Sequence, residues 1–460
     1  MNIGTEDVLD GGQLPDSREP EPLDPSERTR FRTGPDLAVA ALIMVVVLVA
    51  ALIIWQRSDF RATSTQPNAN PVAEPEQPAF FPPSLGEAWH ANSPATQVPV
   101  AVGPVVVTGE GGEVTGRDPL TGKVLWRYAR DLPLCTISSA WLLAIAVYRT
   151  NGNALPASDP RSGGGCSEMT ALDPPTGRRG KQRKADEPRE RPVGLQRQGD
   201  AELGTRLLSD GTFVTTTGRR LLTTLRSDLV QTMEYGVIPA IVNPNKQPRI
   251  DCTYGSVAVG VSKIGVIERC PADTGDRLTV YRTTNEDNNG NNKADEPAVV
   301  FSVVVGSSAA RVVAVSEQRT AVVLPDQSRL AVFDEAGKPL AEYPLDLPAR
   351  DLEGDPDGLA VPVTKGGDAI YWFTGSRTVA LHPKELRPLW TAVSTIGPGT
   401  IFAGRVLIPI PNGLRVLNQG TGELIGTIPV DRHGYTGTVE MAAIGPMVLE
   451  QRGANLVALR

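Results

Sequence analysis

One short pattern recurs through the second part of this chain and constrains its fold more than any other feature. It reads GRDPLTGKVLW at 116–126, TALDPPTGRRG at 170–180 and RVLNQGTGELIG at 415–426. Looser copies are LLTTLRSDLVQTMEY (221–235), LAVFDEAGKPLAEY (330–343) and TVALHPKELRPLW (378–390). Each reads as a strand, a tight turn closed by Asp or Asn and Gly, and a second strand. Gly supplies the positive φ the turn needs, while Asp or Asn bonds its own backbone. The bulky residue that follows is placed to pack between neighbouring sheets.

The rest of the text after Ser84 agrees. β-Branched runs such as VPVAVGPVVVTG (98–109), RVVAVSEQRTAVVLP (311–325) and TIFAGRVLIPIP (400–411) alternate as strands do, and turn residues break them. Gly and Pro together are 46 and 40 of 460 residues, an excess that favours turns over helix bundles. Blade-sized units fall at 98–130, 134–184, 202–236, 250–306, 310–346, 356–393, 398–430 and 438–460. The last lacks its outer strand, and LGEAWHAN (85–92) supplies it, with Trp89 standing where Trp126 stands in the first unit. The expectation is an all-β, eight-bladed β-propeller over 84–460 whose N-terminal strand closes the last blade, or seven blades if the weak 202–236 unit does not form one. Trp89, Trp126 and Trp390 are the expected blade-packing residues.

This repeat is similar to that of the quinoprotein-like, pyrroloquinoline-quinone type propellers, with TALDPPTG and GRDPLTGKVLW its sharpest copies. The resemblance implies an eight-bladed ring in a family that holds both quinone-dependent dehydrogenases and non-enzymatic scaffolds. The scaffolds include the propeller lipoprotein that assists outer-membrane protein assembly in Gram-negative bacteria. The dehydrogenases often add a vicinal disulfide, and no Cys-Cys occurs here; aromatic residues are only 5% of the chain, thin for stacking a planar cofactor. The scaffold branch is therefore the expectation, with no cofactor, and a quinone- or calcium-dependent enzyme is the alternative.

Ahead of the ring, LAVAALIMVVVLVAALIIW (37–55) has no charge, Pro or Gly over a length that matches a bilayer's hydrocarbon core. It predicts a retained single-pass transmembrane helix over 37–56, since a polar stretch precedes it and Trp55-Gln56-Arg57 follows it. Arg18, Arg28, Arg30 and Arg32 on one side against Arg57 and Arg61 on the other place the N-terminus in the cytoplasm. The acidic, Pro-rich 1–36 reads as a disordered cytoplasmic tail, and the polar, Pro-rich 57–83 as a semi-extended stalk. A tail that engaged a cytoplasmic partner would make the chain a single-pass envelope sensor, and 1–36 holds no folded output domain.

Four cysteines all follow the anchor, in what would be an oxidising compartment. Cys135 and Cys252 each open an inner strand as Cys-Thr, and Cys166 and Cys270 each precede the third strand of the same unit. The expected bridges are Cys135–Cys166 and Cys252–Cys270, the second pair lying symmetrically about position 261.

Candidate chemistry is sparse. The loop NEDNNGNNKADE (285–296) has EF-hand-like spacing, with Asn285, Asp287, Asn289 and Glu296 as oxygen donors for a weak calcium site around Gly290. Against it, position 1 is Asn and no helices flank the loop. A basic run carries Arg178, Arg179, Lys181, Arg183, Lys184, Arg189 and Arg191, a patch suited to anionic lipid or polymer. Three His exclude a multi-histidine metal site, and there is no P-loop, dinucleotide fingerprint or G-x-S-x-G elbow. A net charge of −7 gives no footprint for nucleic acid. Arg outnumbers Lys 36 to 9, a bias typical of GC-rich, actinobacterial-type genomes. The sum is a membrane-anchored, extracytoplasmic scaffold that binds other envelope proteins.

Overall fold

The computed structural model describes residues 34–56, 61–149, 166–184, 206–238, 245–287 and 289–460. They fall into two units divided after Ala62. In the first, helix α1 (Gly34–Gln56) runs 23 residues with no buried side chain. Its uncharged apolar run from Leu37 to Trp55 and a length of about 34 Å suit a bilayer core. The helix begins three residues before the expected span, because Pro35 is tolerated in a first turn and Asp36 there complements the helix dipole. The tail boundary at 36 is corrected accordingly, and the rest of the expected tail lies outside the described residues.

The second unit is an eight-bladed β-propeller, with four-stranded antiparallel blades at 100–130, 134–184, 207–236, 253–304, 311–344, 363–393, 400–429 and 439–459. The weak third unit is a complete four-stranded blade, which decides eight over seven. Strand β2 (Glu87–Asn92) pairs with Asn455–Leu459 as the outer strand of the eighth blade, Trp89 opposite Ala458. Gly86 and Arg460 exchange two backbone bonds of 2.9 Å at the seam.

The core is distributed around the ring, one apolar cluster per blade junction. Side chains two apart share a face of a strand. Val105 and Val107 of blade 1 therefore pack towards blade 2, while Val106 between them packs towards blade 8. Both faces of each sheet are buried, which is why the inner strands read as nearly continuous apolar runs.

Antiparallel order gives the ring two rims. The turns from first to second strand and from third to fourth lie on one, the turn rim. The remaining turns and the interblade connections lie on the other, the loop rim.

The expected stalk over 57–83 is corrected from Thr63 onward. Strand β1 (Thr63–Gln66) adds a fifth strand to blade 1, pairing antiparallel with Arg127–Arg130 of its outer strand. Asn68 then donates its backbone N–H to Thr176 O (3.0 Å) in blade 2. Pro75 lies against Gly445, where a Cβ would sit 2.6 Å from the proline ring, and Phe81 packs on the cluster between blades 7 and 8. The physical reason is an open sheet edge: the unpaired N–H and C=O groups of an outer strand bind an extended segment that has no structure of its own to lose.

Candidate functional site

The innermost strands of the eight blades surround an axial channel. Two cavities of ≈ 230 and ≈ 190 Å³ follow one another along it, and Leu207, Leu208, Val361 and Val363 wall both. Valines dominate because an inner strand packs side chains on both faces and leaves its edge to the axis. Charged groups in this setting stand out.

Lys365 ends the inner strand of blade 6 on the turn rim, and its Nζ donates to the carbonyl of Val259 in blade 4 at 3.1 Å. The packed walls around it hold the ammonium below the ordinary lysine range, with Asp210 opposing that shift. On the loop-rim side, Arg206 and Gln97 line the second cavity. Among the described residues, the Arg206 Nε has no acceptor and the Gln97 Oε1 no donor, although both atoms are buried. Glu440, on the inner strand of blade 8, has its carboxyl pushed up by burial, and the Arg206 charge pulls the other way. The sequence offered one signal for Lys365 and Glu440, a lone charge inside a β-branched inner strand. That signal was missed.

The residues expected from the sequence occupy the periphery of the blades. Trp126 is 1% exposed, donates Nε1–H to Pro174 O of the next blade (2.6 Å), and stacks on Gly177. A Cβ on that glycine, whose φ is +70°, would lie 2.4 Å from the indole. Trp89 repeats the arrangement on Pro119 and Gly122, and Trp390 on Gln419 and Gly422. The turns that receive them are the sequence repeat itself. Asp118 Oδ1 accepts from the N–H groups of Leu120 (3.1 Å) and Thr121 (2.8 Å), and Asn418 does the same for Gly420 and Thr421.

Both disulfides form as expected, Cys135–Cys166 and Cys252–Cys270. The second clamps the open end of the hairpin whose turn lies at 261–262. Among the described residues, Cys252, Glu268 and Cys270 come close enough to suggest a metal site. Both sulfurs are spent in the bridge, and Glu268 already accepts from Arg249 Nε (2.6 Å) and Tyr281 OH (2.7 Å).

In the 285–296 loop, Asp287 accepts from the N–H groups of Asn289 and Asn291 and from the Asn291 side chain. Asn285 donates its side-chain amide to Glu296 O (2.7 Å), and the Glu296 carboxylate lies 3.7 Å from Lys246 and Lys293. In the basic run, Arg179–Lys184 forms the outer strand of blade 2, and 185–191 lies outside the described residues.

Residues 86–228 match the family described as "Outer membrane protein assembly factor BamB", a PQQ-type repeat family. The matched stretch carries PQQ-like repeats within the eight-bladed β-propeller. Among solved structures, this propeller is similar to BamB from Moraxella catarrhalis at 14% identity, over 82% of this chain and 99% of that one, with a TM-score of 0.44. It is also similar to the dihydro-heme d1 dehydrogenase NirN in complex with DHE, at 13% identity over 80% and 78% of the two chains, with a TM-score of 0.45. No curated protein sequence matches the chain.

Proposed function

We propose that this chain is a single-pass, membrane-anchored scaffold whose PQQ-like propeller stands outside the cytoplasmic membrane and binds other proteins of the bacterial cell envelope. The observation that carries the reading is the match of 86–228 to the assembly-factor family. α1 has the length and apolarity of an anchor, and four Arg before it against two after it favour a cytoplasmic N-terminus. Two disulfides suit an oxidising compartment. The outer strands of blades 5, 6 and 7 expose Leu340, Val393 and Leu424 over about half of their surface, apolar contacts available to a partner.

Crosslinking the tagged full-length protein in its native membrane, followed by mass spectrometry, tests the reading. It is supported by a reproducible set of envelope-assembly or secretion proteins. Recovery of the protein alone overturns it.

A further inference from the structure

The axial channel plays no part in the scaffold reading, and the inference here stands without it. Three observations bear on what the channel takes. The cavity nearer the turn rim measures ≈ 230 Å³, and an apolar cavity of about 150 Å³ already admits benzene. Its wall repeats in register around the axis, with Val257 and Val259, Val313 and Val315, and Val361 and Val363 in three successive blades. Its turn-rim end carries Lys365, which solvent reaches and which has three donors but, among the described residues, makes one hydrogen bond, to Val259 O. Asp210, the carboxylate whose charge acts on Lys365, is already committed to the N–H groups of Thr212, Phe213 and Ser262.

The site thus offers a cation with spare donors at one end of an apolar tube. At the other end, Arg206 feels the charge of Glu440 and is less available to a second anion. From Val361 to Lys365 the strand rises about 13 Å at roughly 3.3 Å per residue, the reach of a straight chain of about ten carbons.

We propose that the channel binds a straight-chain alkyl carboxylate, with its carboxylate on the Lys365 Nζ and its chain along the valine wall towards Arg206. A straight chain follows the length of this wall, and an alcohol of equal length gains the apolar contact without the ion pair to the ammonium.

The test uses the full-length protein in lipid nanodiscs, titrated with carboxyl-13C decanoate and followed by NMR, with empty nanodiscs subtracted. One saturable site per chain is expected. Lys365→Met weakens decanoate binding at least tenfold, Lys365→Arg restores most of it, and 1-decanol binds wild type and Lys365→Met alike. Absence of saturable binding beyond empty nanodiscs overturns the proposal. So does equal decanoate affinity in wild type and Lys365→Met. Lys365 ends its strand at the solvent-facing mouth, so neither variant burdens the fold, and circular dichroism checks that directly.

Discussion

The two rims of the propeller hold neighbouring blades together by different chemistry. On the turn rim, an indole from one blade stacks on a glycine of the next and gives its one N–H to a backbone carbonyl, as Trp126 does on Gly177 and Pro174. Phe301 against Gly337 is the same contact without the hydrogen bond. On the loop rim, buried ion pairs do the work. Arg130 at the end of blade 1 meets Glu168 of blade 2, and Arg249 meets Glu268 of blade 4. Arg432, from the connection between blades 7 and 8, holds Glu450 of blade 8 at 2.6 and 3.0 Å, and Arg452 adds a third bond of 2.8 Å. The aromatic contact buries apolar area and leaves one polar atom to satisfy. The ionic one removes two or three charges from water and holds only while every partner is present.

The largest effect is therefore expected on the loop rim. Glu450→Ala leaves Arg432 and Arg452, 2% and 6% exposed, without their shared carboxylate, and is expected to cost about 3–5 kcal/mol in urea unfolding. A loss below about 1 kcal/mol would remove the claim that ion pairs secure this rim. Replacing both Cys252 and Cys270 by Ser opens an 18-residue link on the same rim and should lower stability by about 3 kcal/mol, with reductant producing a larger drop in the wild type because it opens Cys135–Cys166 as well.

On the turn rim, Gly177→Ala drives a methyl into the Trp126 ring at a φ of +70°. Overpacking and backbone strain together are expected to cost about 2–3 kcal/mol, with a change in near-ultraviolet circular dichroism from the displaced indole. A neutral result there would show that the stack tolerates a Cβ and that the glycine serves the turn alone.

The smallest effect belongs to the inner strand of blade 8. Burial raises the Glu440 carboxyl above its unfolded value, so the native state binds that proton more tightly and loses stability as pH rises through the window between the two values. Glu440→Gln is expected to raise the melting temperature slightly at pH 7.5. The advantage should fade as pH falls below about 4, where the carboxyl becomes protonated in both states. A gain independent of pH would show that desolvation of the charge is not its cause.

What was legible in the sequence was local. The turn at 118–122 is specified by Asp118, Thr121 and Gly122 within five residues, so it can be read without knowing what packs on it. The same holds for blade boundaries, for the closing strand at Trp89, and for the cysteine pairs, which keep the register of the repeat. Strand β1 was not legible, because Thr63–Gln66 has no strand signal of its own and becomes a strand by pairing with the edge at Arg127–Arg130. Arg432 and Glu450 were not legible either, since a charged letter reads as solvated unless its burial is known.

The sequence by itself determined an apolar helix, an eight-unit β repeat closed by its own N-terminal strand, and two disulfides, because each depends on residues close in the chain or on a fixed period. Only the tertiary structure decided where charge is buried and what the inner strands enclose. Arg130 and Glu168 stand 38 residues apart, and the carbonyl of Val259 that Lys365 bonds lies 106 residues away. Closing the ring brings such groups together and, at Arg130 and Glu168, takes away the water that would otherwise have solvated them.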